Sequence, residues 1–379
     1  MEPSLQRQLV RRVLAHVEHR TTDTHASGAP TTLPVAAYRD VVATAFRTRP
    51  LAVAHASQLA RPGDFVTHDG AGVPLLVSRA GDGSLRAMLN VCRHRGTQVE
   101  AAACGSKRAF TCPYHAWSYG LDGSLIGVPH ERLFAGPGGV SRDRGLAQVA
   151  VAELGGLVFV QLDGALDVGY LGPLADELAG FGIPSGHVVC ERVVERAMSW
   201  QLAIDVFLET YHLKTAHKAS IYPLFFDNLG LVDVVGTHLR NVFPKRSIRE
   251  LAGLPEDQWV LRHHANVLYH LFPNTLVLVE PDHSAVVQMW PLGPDRTRLS
   301  SYLVVPEAPA TDKARAYWDA NARVLYGAVD EDLELGCSIQ RGLASGANRE
   351  VMFGAFEHAL AHFHRMLDAC STAPTISPR

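Results

Sequence analysis

The sequence predicts an α+β chain of two domains, a small antiparallel β domain followed by a larger sheet with helices packed on it. Two observations carry this. From about Phe46 to Asp163 short apolar runs (PLLVS, LRAMLNV, VAVAEL, GLVFVQL) are broken by turn sequences (RPGD, AGDG, LDG), the mark of short strands joined by tight turns. Beyond Asp163 the runs lengthen and a helical rhythm appears toward the C-terminus.

In chain order, Leu5, Leu9, Val13 and Val17 recur four apart, which predicts an amphipathic helix over residues 4–18. A Thr/Gly/Pro-rich linker follows at Thr21–Pro34, so residues 1–45 read as a helix and linker packing on the later domain. The β domain spans 46–163. In 164–379, ERVVERAMSW precedes a helical stretch, and NTLVLVE, SAVVQMW and RLSSYLVVP then read as strands. Asp312 to Asp368 is mostly helical by pattern, and this second domain is larger than an electron carrier needs.

The 379 residues are 47% hydrophobic and 19% charged, an ordinary folded composition, with a net charge of −3 that gives no reason to expect nucleic acid. No run of eighteen apolar residues occurs and the N-terminus lacks an apolar leader core, so a soluble, cytoplasmic protein with no membrane contact is expected. Of six cysteines, four show no paired spacing, and such scattered thiols suit a reducing compartment.

Two of those cysteines sit in paired motifs. Cys92-Arg93-His94 is followed, after seventeen residues, by Cys112-Pro113-Tyr114-His115. Each segment offers one thiolate and one imidazole, the set that a [2Fe–2S] centre with two cysteines on one iron and two histidines on the other requires. A tetrahedral zinc is the alternative, although zinc sites usually pair C-x₂₋₄-C with H-x₃₋₅-H. Gly96 and Pro113 suit tight loops whose amides approach cluster sulfurs.

A second constellation lies in WQLAIDVFLETYHLKTAH, residues 200–217. Asp205, Glu209 and His212 step by four and three, one face of a helix if the helix is continuous. His217 falls about 140° from His212 on an ideal helix. Both reach one metal only if the helix widens or ends, so a π-like turn or break is expected near Leu213–Ala216. Leu325, Val329, Asp332, Gly336, Ile339 and Leu343 form one helical stripe with Asp332 as its single acid, whereas Asp330, Glu331 and Glu334 read as solvated. His212, His217 and Asp332 would complete a two-histidine, one-carboxylate face for ferrous iron. The alternative is two packed core histidines, with Asp332 paired to an arginine such as Arg341.

From about residue 40 to 366 the chain resembles the α subunits of Rieske non-haem iron oxygenases, in CRHRG, CPYHAWSYGLDGSL, LETYHLKTAH and EDLELGCSIQRGL. The resemblance implies a Rieske [2Fe–2S] domain and a helix-grip (START-like) catalytic domain, its curved antiparallel sheet wrapped around a long C-terminal helix. It implies a head-to-tail homotrimer in which the cluster of one subunit serves the iron of the next; an additional β subunit is not legible in this chain. Glu209 takes the place of the bridging acid between a cluster histidine (His115) and His212. Members often carry Asp there, with Glu common in a branch that includes quaternary-amine monooxygenases. Where members carry Asn shortly before the acid, this chain has Asp205 and Val206, and Asp205 is a candidate for the layer behind the ligands. The disulfide of some high-potential relatives is absent, with Thr97 and Tyr114 in its places.

The implied activity is hydroxylation or dihydroxylation of a small organic substrate with O₂, with electrons coming from NAD(P)H through a separate ferredoxin or flavin reductase. An aromatic ring or acid is the leading expectation. N- or O-demethylation of a small amine, quaternary ammonium compound or ether is the alternative, and a pure electron-transfer protein is the remote one. Arg93, Arg95, Lys107 and Arg108 would meet an acidic reductase or neighbouring subunit, or form an ordinary solvated rim. Trp117 would shield the cluster. Phe225, Phe226, Leu229, Leu271 and Trp290 are the expected apolar walls of the pocket.

Overall fold

The computed structural model describes residues 1–24, 31–38, 42–70, 72–134, 140–141 and 143–371, with backbone alone at 42–44 and 371. The chain divides into two compact units, Phe46–Tyr170 and Met1–Ala45 with Leu171–Arg379. Residues 164–170, assigned to the second domain from the pattern, fall in the first unit, where the Tyr170 ring packs edge-on against Phe159.

The smaller unit is built from two antiparallel sheets. Seven strands run in the order Leu51–His55, Leu157–Gln161, Gln148–Leu154, Leu85–Leu89, Leu75–Arg79, Asp64–His68 and Cys104–Ser106. A three-stranded sheet (Phe110–Thr111, Ser118–Tyr119, Leu125–Gly127) stands apart from it in strand pairing. Between them lies a core containing Phe65, Phe110, Trp117 and Tyr119, and Cys92 and Cys112 are part of it. The four apolar runs read as strands from the sequence are strands here.

The larger unit holds a curved seven-stranded antiparallel sheet with a long helix against it. Six strands follow one another as a meander: Leu231–Val235, His238–Pro244, Ala265–Leu271, Thr275–Val279, Ser284–Gly293 and Arg296–Val305. His187–Arg196 pairs with the last of them. The first three of the six occupy what the sequence pattern gave as part of a helical stretch. In the second and third of these the alternation is hidden because both faces are buried: His238–Val242 and Val267–Leu271 are buried at every position.

The helix Asp312–Ala344 begins at Thr311, whose hydroxyl accepts from the Ala314 amide at 3.1 Å. Its apolar stripe packs on Ala285, Leu303 and Val305 of the sheet. At Gly336 an added Cβ would lie 2.5 Å from the Met198 sulfur, so the missing side chain lets this helix close on the segment leading to the first histidine. Ile339 departs from the expected stripe and is largely exposed. The N-terminal helix runs Pro3–His19 and buries Leu9, Val10, Val13 and Val17. Part of the expected linker is a strand, Thr31–Pro34, paired with Glu350–Phe353; residues 25–30 lie outside the described residues. Among the described residues no helix is long and apolar enough to cross a membrane.

Candidate functional site: two metal centres

In the smaller unit the two Cys/His segments fold as matching loops. The Cys92 amide donates to the Thr97 carbonyl and the Gly96 amide returns to the Cys92 carbonyl, both at 2.8 Å. The second loop repeats this, with the Cys112 amide donating to Trp117 at 2.8 Å and the Ala116 amide to Cys112 at 3.0 Å. The fourth residue past each cysteine is left-handed, Gly96 at φ 85° and Ala116 at φ 57°, which reverses each loop and returns the next carbonyl, of Thr97 or Trp117, to its cysteine amide.

Both sulfurs are buried, and the His94 and His115 rings lie with centroids 4.6 Å apart. Trp117 stacks on His94 at 5.0 Å and 5°, a shield and an orienting contact together. The Tyr119 hydroxyl lies 3.3 Å from the Cys92 sulfur and accepts from the Arg93 amide at 3.0 Å. Burial and the neighbouring His115 push His94 below its ordinary value. His94 Nδ1 is buried with no hydrogen-bond partner among the described residues. An orphaned ring nitrogen beside two buried thiols fits a cluster with mixed Cys and His ligands. Among the described residues no disulfide forms, so no such brace joins the two loops.

In the larger unit the helix Trp200–Asp205 ends at Asp205, the chain turns through Val206–Tyr211, and a single helical turn follows at Leu213–Ala216. The break expected between the histidines therefore lies upstream of them. His212 and His217 cap the two ends of the one-turn helix, and His217 leaves helical geometry at φ −101°, ψ 23°. That rotation brings the rings to 5.1 Å between centroids.

Asp332, on the long helix, meets both rings. His217 Nε2 lies 2.8 Å and His212 Nε2 3.3 Å from Asp332 Oδ1, and all three ligand atoms fall within 4.8 Å of one another. The outer nitrogens are held by carboxylates: His212 Nδ1 by Glu209, and His217 Nδ1 by Glu331 Oε2 at 2.6 Å. A neutral imidazole that gives its Nδ1 proton outward presents its Nε2 lone pair inward. Three lone pairs thus converge, and Asp332 Oδ1 finds no aligned hydrogen-bond donor among the described residues. Burial pushes the His212 ring down, but the facing Asp332 and Glu209 carboxylates outweigh it and, with no cation between them, carry the ring up to about 10. A site this short of positive charge fits a divalent cation with nitrogen and oxygen ligands.

Two further expectations change. Asp205 faces away from this centre: its carboxylate accepts from the Tyr38 hydroxyl at 2.7 Å and contacts His364 Nε2 at 2.9 Å. With the helix ending at Asp205, the residues Asp205, Glu209 and His212 do not share a helix face. Glu331, read as solvated, reaches His217; the sequence signal available was an acid next to Asp332 with no basic residue three or four positions away on its helix.

A cavity of about 500 Å³ opens onto His212, His217 and Asp332. The long helix contributes Tyr317, Asn321, Leu325 and Val329 before Asp332, a stretch of about 22 Å at 1.5 Å per residue. Leu268, Leu276 and Val287 wall its middle, and Lys245, Glu280, Asp282 and His283 also line it. Of the expected wall residues only Phe225 lines the cavity. Leu271 and Trp290 have the opposite strand parity to Leu268 and Val287, so they face the other side of the sheet. Phe226 lies under the Arg249 guanidinium at 5.0 Å, and Leu229 is buried outside the cavity.

Residues 49–137 match the family described as Rieske [2Fe-2S] domain. Residues 186–373 match the ring hydroxylating alpha subunit (catalytic domain) family. The chain is 28% identical over 342 residues to the carnitine monooxygenase oxygenase subunit of Escherichia coli (strain K12), covering 84% of this chain and 86% of that protein. It is 28% identical over 323 residues to the chloroplastic choline monooxygenase of Amaranthus tricolor, covering 82% and 70%. Its fold resembles that of the quaternary ammonium Rieske monooxygenase CntA in complex with L-carnitine, with a TM-score of 0.76, 24% identity and coverage of 89% and 95%. The cofactors of such enzymes are a Rieske [2Fe–2S] cluster and a non-haem iron, with O₂ and reductase-derived electrons. With both metal centres laid out in one polypeptide in the order these families prescribe, the chain belongs to the α subunits of Rieske non-haem iron oxygenases.

Proposed function

We propose that this enzyme is a Rieske monooxygenase acting on a small cationic amine or quaternary ammonium compound. Cys92 and Cys112 hold one iron of the cluster and His94 and His115 the other, while His212, His217 and Asp332 hold the mononuclear iron. Ferrous iron in such a face supplies open positions for O₂ chemistry. Glu209 fixes the His212 ring through Nδ1. Its place as the bridge to the cluster of an adjoining subunit, in a head-to-tail homotrimer, belongs to the same proposal.

The observation that carries the substrate class is the charge of the cavity. Apart from Glu209 and Asp332 at the histidine end, the lining carries Glu280 and Asp282 against one Lys245, leaving one carboxylate in excess there. Lys245 Nζ lies 3.6 Å from Glu280, and Asp282 is met by the Tyr317 hydroxyl and His283 Nδ1. Excess negative charge between low-dielectric walls attracts a cation and repels an aromatic carboxylate. The aromatic ring or acid expected first from the sequence therefore gives way to the amine alternative, in keeping with the substrates named for the relatives.

N-methyl oxidation would consume one O₂, two electrons and two protons. One oxygen atom enters the methyl group, which leaves as formaldehyde, and the other becomes water. Reductase-coupled NADH and O₂ consumption, with formaldehyde measured, tests this against choline, glycine betaine, carnitine and simple tertiary amines beside benzoate. Turnover with the cations is expected; turnover with benzoate alone would overturn the assignment. Glu280→Gln should raise KM for the cation about tenfold while changing kcat less.

A further inference from the structure

We propose that Glu331 is the positioning residue for His217, keeping that ring in the orientation and tautomer that metal binding requires. This deepens the reading of His212, His217 and Asp332 as an iron site and rests on it.

The His217 imidazole is gripped by two successive residues of one helix. Its Nε2 faces Asp332 Oδ1 at 2.8 Å and its Nδ1 faces Glu331 Oε2 at 2.6 Å. The same Glu331 oxygen accepts from the Ser220 hydroxyl at 2.6 Å, which ties it to the turn following His217. The ring is 1% exposed, whereas the Glu331 side chain is 42% exposed, so Glu331 is a surface acid with one oxygen turned in. Positions three and four away on its helix are Gly327, Ala328, Glu334 and Leu335, so no intrahelical cation competes for it.

The need for this acid follows from the ligand geometry. Without an acceptor at Nδ1, the ring proton can move to Nε2 and hydrogen-bond Asp332 Oδ1, which already lies at hydrogen-bond distance. That bond would satisfy both ligand atoms and close the site to a metal. Glu331 draws the proton to the outer nitrogen and leaves the Nε2 lone pair inward, as Glu209 does for His212. Each iron-facing imidazole thus has its own carboxylate, one from the turn before it and one from the helix that also carries Asp332.

The test uses the full-length protein with its cluster intact and its mononuclear site stripped by a chelator. Co(II) is titrated in and followed by its ligand-field bands. Glu331→Ala should weaken Co(II) binding about 10–100-fold and shift those bands, while the cluster absorption stays unchanged. Glu331→Gln retains an acceptor oxygen and should recover much of the loss, which also covers the case of an alanine variant that folds poorly. Glu334→Ala removes the same charge three residues along and should bind Co(II) as the wild type does. Equal affinity for wild type and Glu331→Ala, or an equal loss in Glu334→Ala, would overturn the inference. A wild type that takes up no Co(II) would instead overturn the iron-site reading beneath it, and this inference with it.

Discussion

Arg240→Met is expected to be among the most damaging single changes in the larger unit. Arg240 is 8% exposed, and its guanidinium donates to Glu177 and, at 2.9 Å and 3.3 Å, to Asp233 Oδ2. Burial pushes the guanidinium down, but its bonds to Glu177 and Asp233 outweigh that and keep it charged. With Met in place, Asp233 still has Arg12 at 2.8 Å. Among the described residues Glu177, 6% exposed, keeps the Tyr269 hydroxyl at 2.8 Å as its side-chain hydrogen-bond partner. Breaking a buried ion pair from one side costs about 3–5 kcal/mol. With one carboxylate still partnered, the lower end applies, about 3 kcal/mol. In a unit of this size that lowers the melting midpoint by about 6–12 °C.

The damage should reach function, because the strand His238–Pro244 that carries Arg240 also brings Phe243 to the cavity wall. Differential scanning calorimetry of the metal-loaded protein gives the midpoint, and Glu177→Gln in the Arg240→Met background should restore about half of the loss by removing the stranded charge. A fall of less than about 2 °C, or a double variant no better than the single one, would refute the reasoning.

Other changes separate the two metal centres. His212→Ala should remove the mononuclear iron and leave the cluster spectrum intact, lowering iron from about three to about two per chain by metal analysis. Glu209→Gln should keep the cluster spectrum but lower turnover about tenfold or more, since one amide oxygen cannot accept from both the imidazole and the Tyr211 and His212 amides that the carboxylate now serves. Tyr119→Phe removes the hydroxyl beside the Cys92 sulfur and should lower the cluster potential, read by redox titration. Gly96→Ala meets no atom within 4 Å, so its cost is the left-handed backbone alone, about 1–2 kcal/mol, seen as a lower melting midpoint of a cluster-containing protein.

The sequence by itself determined the donor chemistry. Cysteine and histidine two or three residues apart can face one ion only through a tight loop, so the spacing of Cys92, His94, Cys112 and His115 carried their pairing. Asp332 was legible because it is the one acid on an otherwise apolar helical stripe. Tertiary structure decided what lies between distant segments. Glu331 was hidden because its partner, His217, is 114 residues away and its own position on the helix faces the rim. Asp205 was misplaced because periodicity assumes a continuous helix, whereas this one ends at Asp205 and turns that acid to Tyr38 and His364. The strands from Leu231 to Leu271, and the choice of which apolar residues wall the cavity, depend on sheet parity. When both faces of a strand are buried, composition no longer records which one is in contact with the substrate.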